Sequence, residues 1–390
     1  MSGNENISCA TCHHPAFGTS DGLSLGIGEG GEGLGPKRTP GEGLDRIEKR
    51  VPRNAPALWN LGAREVSILM HDGRISIGAD YENGFNTPAE EWLPNGLNSL
   101  LAAQALFPLT SATEMAGGSE ENEVAGAVND RIDYGWPIVA KRVRTIPTYG
   151  AMFVESFDHI SAPEEVTITE IANALAAFVG QEFRSNDSAL DSHLSGDATL
   201  PAAAMNGMEL FYGKANCASC HSGPLFTDHQ FHALALPAFG PGRTRRFDPM
   251  VRDVGRMGES DRLEDAYRFR TPSLRNIALT APYGHNGAYP TLAAMLRHHA
   301  DPEQTRASWQ RTDAALTPVP WLASIDFVVQ SDRLEMARVA ASASVDVPRL
   351  SEGEIADLIA FLNSLTGQAA ADTAFDIPAE VPSGLPVDQP

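Results

Sequence analysis

The clearest helical pattern in the first half of the chain lies in residues 165–183. Apolar side chains recur there every three or four residues, as on one face of an amphipathic helix. The face consists of Ile168, Ile171, Leu175, Phe178 and Val179. We predict that this face packs into a protein core and does not contact a cofactor.

A second helical pattern spans about residues 351–366. Ser351 and Glu354 have the spacing of a capping box, and Gly367 is a candidate stop signal. The apolar stripe between them also predicts a core-facing helix. It consists of Ile355, Leu358, Ile359, Leu362 and Leu365.

Other stretches predict irregular structure. Residues 20–43 are rich in glycine and are expected to form a loop, and residues 75–99 and 116–135 are polar without a clear period. Residues 368–390 are rich in proline and predict a C-terminal tail that is not helical.

Length and charge narrow the classes of function. The 390 residues suit two domains, each with its own core. The mean hydropathy is −0.20, and no run of about 18 apolar residues predicts a membrane span. The net charge of −21 argues against nucleic acid or an anionic membrane as a partner. It is compatible with docking a basic protein, or with a plain solvated acidic surface.

All four cysteines belong to two copies of one pentapeptide, Cys-x-x-Cys-His. The copies are Cys9-Ala-Thr-Cys12-His13 and Cys217-Ala-Ser-Cys220-His221. A disulfide framework or a four-sulfur zinc cage would leave the repeated histidine unexplained. In a c-type haem site, both thiols form thioethers and the adjacent imidazole binds the iron. We therefore predict two covalently bound haem c groups.

Two haem motifs and two closing helices predict a mainly α fold of two tandem cytochrome c-like domains with long irregular loops. The predicted boundaries are 1–184, 185–367 and the tail 368–390. Met1 is followed by polar residues, with no signal peptide. Because haem is normally attached to this motif outside the cytoplasm, we expect a mature or truncated form of a periplasmic or otherwise exported protein.

Several blocks of sequence resemble the bacterial dihaem cytochrome c peroxidase family, including its MauG-like branch. The resemblance covers nearly the whole chain, and its blocks occur in the family's order. They are "SGNENISCATCHHPAF", "NAPALWN", "HDGRI", "AQALFPLTSATEMAG", "GMELFYGKANCASCHSGPLFTD", "FRTPSLRNIALTAPYGHNGAYPTL" and "VPSGLPV".

The resemblance implies that the second haem carries a sixth protein ligand opposite His221. His299 stands at that position, where Met or Tyr is more usual, and His298 and Met295 are the alternatives. A second imidazole would close this iron to small molecules and suit it to electron transfer. His285 is expected to be structural or to bind a haem propionate.

At the first haem, with proximal ligand His13, the resemblance places Gln104, Pro108 and Glu114 on the distal side. Hydrogen peroxide would bind there, and Glu114 would transfer a proton between its oxygens. In some relatives a histidine closes this site, but the loop that could supply it, residues 22–38, contains none. We expect an open first iron that needs no reductive activation.

The family usually places a tryptophan relay between the haems, whereas this chain has His71 in "HDGRI". Histidine is a poorer hole carrier, so His71 is expected either to relay electrons more slowly or to hydrogen-bond near a propionate. The resemblance also implies a Ca²⁺ ion bound by Asn54 and by the carbonyl oxygens of Thr280 and Pro282.

These features predict an enzyme that cleaves hydrogen peroxide at the N-terminal domain with electrons delivered through the C-terminal domain. As a peroxidase it would take electrons from a small cytochrome c or copper protein. A MauG-like enzyme would instead oxidise residues such as tryptophan in a partner protein. A third alternative is a dihaem electron carrier without catalysis. Members of the family often dimerise, and a homodimer is a further expectation.

Overall fold

Helices make up most of the regular secondary structure, and the strands are very short. The structure is a computed structural model that describes residues 1–244, 248, 250–372 and 377–389. In the first half the helices are α1 Cys9–Cys12, α2 Leu100–Ala105, α3 Glu123–Asp130, α4 Gly135–Arg144, α5 Pro147–Ser156 and α6 Ile168–Glu182.

The second half continues the same architecture. Its helices are α7 Ala189–Leu194, α8 Ala202–Tyr212, α9 Met257–Ser260, α10 Leu292–Ala300, α11 Pro302–Ser308, α12 Arg333–Ala341, α13 Glu352–Asn363 and α14 Gln368–Ala371. Single turns of 3₁₀-helix occur along the chain, among them Pro108–Thr110 and Cys217–Ser219. The predicted mainly α fold is confirmed.

Two small antiparallel sheets join distant loops. Strands β1 Ile68–Leu69, β2 Ile75–Ile77 and β3 Phe85–Asn86 form a meander in the order β1-β2-β3. Strands β4 Phe231–His232 and β5 Phe269–Arg270 pair with Phe231 opposite Arg270. The turn between β1 and β2 contains His71, so this meander fixes the backbone on either side of that residue.

Helix α6 closes the core of the first half. It packs on α2, and its Ile168, Ile171 and Ala172 are buried. Thr167 caps its N-terminus together with Glu170. The predicted face is wrong at Phe178, which is 56% exposed because the apolar stripe turns away from the core there.

Helix α13 closes the core of the second half by crossing α8 at close range. The crossing point is Gly207, where a Cβ atom would lie 2.0 Å from the carbonyl oxygen of Asp357. Phe211 and Phe361 pack at the same interface with ring centroids 5.1 Å apart. Since α8 leads directly into the second Cys-x-x-Cys-His motif, this contact sets the position of that motif.

The end of α13 and the start of the tail differ from the prediction. The helix ends at Asn363, where the N–H of Ser364 donates to the carbonyl of Phe361 and tightens the last turn. Gly367 has φ −73° and begins α14, so it is not the predicted stop. The tail is therefore helical at Gln368–Ala371, while residues 373–376 and 390 lie outside the described part.

Regular structure also occurs where the sequence predicted loops. Helix α3 lies within residues 116–135, capped by Asn122, whose side chain accepts from the N–H of Ala125. It is only eight residues long and contains Gly126, so its period is hard to detect. Strands β2 and β3 likewise lie within residues 75–99.

The glycine-rich residues 20–43 are a loop, as predicted, but a buried one. Leu25 packs with Leu236, Phe239 and Tyr289, while Leu23 and Ile27 pack with Val319 and Leu322. This loop therefore joins the two halves of the chain. One core cluster draws on residues 7–176 together with Leu225, and another on residues 190–365. The predicted boundary near 185 stays a prediction. No described helix has the length and apolar character needed to cross a membrane.

The predicted capping box of α13 is present. The N–H of Glu354 donates to Ser351 Oγ at 3.3 Å, and Glu354 Oε2 accepts from the N–H of Ser351 at 2.8 Å. Ser351→Ala should lower the free energy of unfolding by about 1 kcal/mol, because it leaves one helix N–H without its partner. Chemical denaturation of the haem-loaded protein measures this. Ser119→Ala, at an exposed loop position, should have no measurable effect, and equal effects of both changes would contradict the assignment.

Candidate functional site

The second Cys-x-x-Cys-His motif lies in a turn directly after α8. Cys217, Cys220 and His221 all line one internal cavity of about 690 Å³. The carbonyl oxygen of Phe226 lies 3.0 Å from His221 Nδ1. A carbonyl can only accept, so Nδ1 carries the proton and Nε2 keeps its lone pair for a metal.

The walls of this cavity suit a large, flat, apolar group. The apolar side chains that face it come from several helices and loops. They are Phe211, Leu274, Leu292, Leu296, Leu358 and Leu362. Two thiols, an imidazole and an apolar chamber of this volume fit the attachment of one haem c.

His299 faces the same cavity from α10. Its Nδ1 donates to the carbonyl of Met295 at 2.9 Å, which again leaves Nε2 free. His299 lies close enough to His221 to help lower the pKa of that imidazole. Burial lowers the pKa of both histidines, so both are neutral and available as ligands.

His298, the neighbouring alternative, has both ring nitrogens engaged. Its Nε2 lies 2.8 Å from the carbonyl oxygen of Leu234, and its Nδ1 contacts Tyr289 Oη and Thr305 Oγ1 at 2.8 and 2.9 Å. The side chain is fully buried, and its geometry is that of a structural hydrogen-bonding group. Met295 also lines the cavity, so the geometry favours His299 over His298 and leaves Met295 as the weaker alternative.

The first motif occupies a single helical turn. His13 Nδ1 lies 3.1 Å from the carbonyl oxygen of Thr19, the same arrangement as at His221. Asp388, near the end of the tail, accepts from Ser8 Oγ at 2.9 Å and from Thr11 Oγ1 at 2.5 Å. The tail therefore returns to the first motif, a contact that the sequence did not predict.

The three residues expected on the distal side lie in consecutive elements. Gln104 is in α2, Pro108 begins a 3₁₀ turn, and Glu114 lies in a π-helical turn, Ala112–Ala116. The glycine-rich loop covers this π-helical turn, since the N–H of Glu29 donates to the carbonyl of Glu114 at 3.0 Å. A Cβ atom on Gly28 would lie 1.9 Å from the carbonyl oxygen of Thr113, so only glycine fits there.

A buried arginine holds the covering loop in shape. Arg38 donates to the carbonyls of Ile27, Gly28 and Gly33 at 2.6, 2.8 and 2.7 Å. These bonds tie three carbonyls of the glycine-rich segment to one side chain. No sequence pattern pointed to this role of Arg38.

Glu114 is electrostatically tuned. Burial raises the pKa of its carboxyl group, and the positive charges of Arg74 and Arg243 oppose that shift. Cys12 also senses the Glu114 charge, which places this carboxylate near the first motif. A raised pKa makes a carboxylate a stronger base and therefore better able to accept a proton and return it.

Residues 71–74 extend from the cavity at the second motif towards Glu114 at the first motif. His71 lines the cavity, and Asp72 is buried beside it. Asp72 forms ion pairs with Arg53, Arg74 and Arg243 at 2.6, 3.0 and 3.3 Å. Because Arg74 and Arg243 act on Glu114, this charge network joins both sites. Burial keeps the pKa of His71 well below its usual range, and the positive charge of Arg53 acts in the same direction.

His285 lies on the same side of the cavity. It stacks on Phe269 with ring centroids 3.6 Å apart and an interplanar angle of 8°. Burial lowers its pKa to about 4, so the ring is neutral. Arg53 lies over the Phe269 ring and is held by Asp253 at 2.8 Å, which makes this corner of the cavity rigid.

The three residues expected at a calcium site lie around the same cavity. Asn54, Thr280 and Pro282 all line the large cavity, and the N–H of Asn54 donates to the carbonyl of His285 at 2.9 Å. Asn54 Nδ2 donates to the carbonyl of Leu23. These neutral oxygen donors are compatible with Ca²⁺ but do not by themselves specify it.

Comparison with known proteins identifies the family to which the chain is similar. The family model described as di-haem cytochrome c peroxidase matches residues 1–199. The methylamine utilization protein MauG of Methylorubrum extorquens is 28% identical over 380 residues, which cover 97% of this chain and 78% of that protein. The cytochrome-c peroxidase IdrP2 of Pseudomonas sp. (strain SCT) is 26% identical over 310 residues, covering 75% and 67%.

Among solved structures, the chain is similar to a MauG-like protein associated with microbial copper homeostasis. The TM-score is 0.58 and the identity 24%, with 95% of this chain and 87% of that chain covered. At this identity the likeness shows the fold alone.

Proposed function

Because this chain belongs to the di-haem cytochrome c peroxidase family, we propose that it is an exported oxidoreductase that cleaves hydrogen peroxide at its N-terminal haem site. In this proposal the C-terminal haem site receives the electrons and passes them on. Periplasmic location is part of the proposal, since c-type haem is attached outside the cytoplasm.

One observation carries the proposal, namely the difference between the two sites. Two neutral imidazoles, His221 and His299, line the cavity at the second motif and would hold a haem iron bound there. At the first motif the expected distal residues are Gln104, Pro108 and Glu114, none of which is an imidazole or thioether ligand. Haem bound at both motifs would supply one iron that accepts peroxide and one that exchanges electrons only.

The residues at the first site have separable tasks. A Glu114 carboxylate oxygen would take a proton from one peroxide oxygen and return it to the leaving oxygen. Gln104 would orient the peroxide through its amide. Pro108, which has no N–H, would keep one wall of the site free of a competing donor. Arg74 and Arg243 would keep part of the Glu114 population ionised, as a base requires.

The peroxidase reaction is tested by mixing the haem-loaded protein with peroxide and a reduced small cytochrome c or copper protein. Oxidation of two donor molecules per peroxide, at a rate well above the uncatalysed one, is the expected result. Negligible donor oxidation together with a mass change on a co-purified partner protein would overturn it.

A MauG-like role in protein modification is the second candidate. His71, in place of the family's usual tryptophan, favours it, because a poorer relay between the sites would uncouple the first site from an external electron donor. The two roles differ in the stable product, which is water plus oxidised donor in one case and a covalently altered protein in the other. Mass spectrometry of candidate partners after peroxide addition distinguishes them.

We also propose that Asn54, Thr280 and Pro282 hold Ca²⁺. A chelator should then lower the melting temperature of the haem-loaded protein, and added Ca²⁺ should restore it, since a ligand that binds only the folded state stabilises it. Asn54→Ala should lose most of this response. Thermal unfolding unaffected by chelator and by Ca²⁺ would contradict the site.

A further inference from the structure

Arg270 differs from the other arginines that line the large cavity in having no carboxylate partner among the described residues. Arg252 is paired with Asp248 at 2.7 Å and with Glu335 at 3.0 Å. Arg275 is paired with Asp191 at 2.8 Å. Within the described residues, Arg270 has no carboxylate within ion-pair distance. A charge that is largely withdrawn from water and has no partner is costly, so the cavity contents are expected to supply one.

The hydrogen bonds of Arg270 fix its direction. Nε donates to the carbonyl of Met70 at 3.1 Å and Nη1 to the carbonyl of Thr271 at 3.2 Å. A guanidinium has five N–H donors, and in the described chain these two bonds are all that its side chain makes. The Nη2 hydrogens are left for a ligand in the cavity.

The neighbours of Arg270 do not neutralise it. The titratable groups that it influences are His71 and His229, and its positive charge helps to keep the pKa of both below the ordinary value. Burial lowers the pKa of Arg270 itself to about 10, with no acidic group acting against that shift. The local field in this corner therefore favours an anion.

We propose that Arg270 binds a carboxylate, and that this carboxylate is a propionate of the haem attached at Cys217 and Cys220. A propionate is an anion attached to an otherwise apolar macrocycle, and Arg binds carboxylates through two parallel N–H donors. The inference rests on the proposed function in one respect, that the second motif carries haem.

The position of Arg270 in the fold has a functional consequence. The backbone N–H of Arg270 donates to the carbonyl of His71 at 2.8 Å. Arg270 is therefore hydrogen-bonded to the segment between the two sites. A fixed positive charge near the second haem destabilises its ferric form relative to the ferrous form. Arg270 is thus a positioning residue that raises the reduction potential of the electron-transferring site.

The test is spectroelectrochemical titration of the haem-loaded protein and its Arg270→Gln variant. The midpoint potential of the second haem should shift to lower values in Arg270→Gln, and Arg270→Lys should shift less in the same direction. Arg297→Gln is the matched control, because Arg297 lies on the same helix as His299 but is exposed and paired with Glu352. It should leave the potential unchanged. An unchanged potential in Arg270→Gln with both haems bound would overturn the inference.

Further readouts separate the remaining outcomes. A haem-to-protein ratio below two in the unmodified protein would count against the proposed function itself. Loss of only the second haem from both the Gln and Lys variants, with the helical circular dichroism retained, would support the binding of the propionate by Arg270. A wild-type potential that depends on chloride or acetate concentration would show that Arg270 binds a solution anion, and the propionate assignment would then be wrong.

Discussion

Replacing Glu114 with glutamine is expected to slow the reaction of the oxidised protein with hydrogen peroxide by about 10²- to 10⁴-fold, the usual contribution of a general acid–base group. Glutamine keeps the size and polarity of the side chain but cannot carry the proton. Both haems should remain bound, because Glu114 supports the π-helical turn through its backbone. Stopped-flow absorption after peroxide addition measures the rate.

Glu121→Gln is the matched control for this experiment. Glu121 lies in the same loop region but is exposed and accepts a hydrogen bond from Asn4, so its replacement should leave the rate unchanged. A Glu114→Gln variant with the wild-type rate would remove this residue from the mechanism.

The rate should also depend on pH through the same carboxyl group. The ionised form acts as the base, and burial raises the pKa of Glu114. The rate should therefore fall with decreasing pH, and the fall should begin at a higher pH than an exposed glutamate would give. In Glu114→Gln this acidic limb should disappear.

Replacing His299 with alanine is expected to convert the second haem from a low-spin to a high-spin ferric site. The reason is that the variant removes the cavity-lining imidazole whose Nε2 is left free to bind the iron. Added imidazole should restore the low-spin absorption spectrum by entering the space left by the side chain. The first haem should be unaffected.

His298→Gln distinguishes the neighbouring histidine in the same assay. His298 makes hydrogen bonds with Leu234, Tyr289 and Thr305, so its replacement should cost about 1–3 kcal/mol of stability while the second haem stays low-spin. Loss of the low-spin spectrum in His298→Gln and not in His299→Ala would reverse the assignment. Retention in both would point to Met295.

The parts of the fold that follow local rules were predictable. The two amphipathic helices and the capping box at Ser351 depend on spacing and nearby side chains, and the structure contains all three. The end of α13 was not predictable from Gly367, because a 3₁₀-type turn at Ser364 closes the helix first. Helix α3 was missed because it is short and its apolar period is interrupted by Gly126.

The candidate site, like the fold, was predictable only in part. Repetition of one pentapeptide identified both attachment sites, and family resemblance pointed to Glu114 and His299. The charges that tune them were not visible in the sequence. Arg53, Asp72 and Arg243 lie far apart in the chain and meet only through the tertiary fold. The same holds for Asp388 on the first motif and for Arg270 beside the His71 segment, since each is defined by what surrounds it.

The central claim is that the two haem sites differ, with one iron open to peroxide and the other held between two imidazoles. Electron paramagnetic resonance of the resting ferric protein tests it most directly. We predict one high-spin ferric signal and one low-spin signal with the g-values of bis-imidazole ligation, in equal amounts. Two low-spin signals without any high-spin iron would contradict the account and would indicate an electron carrier.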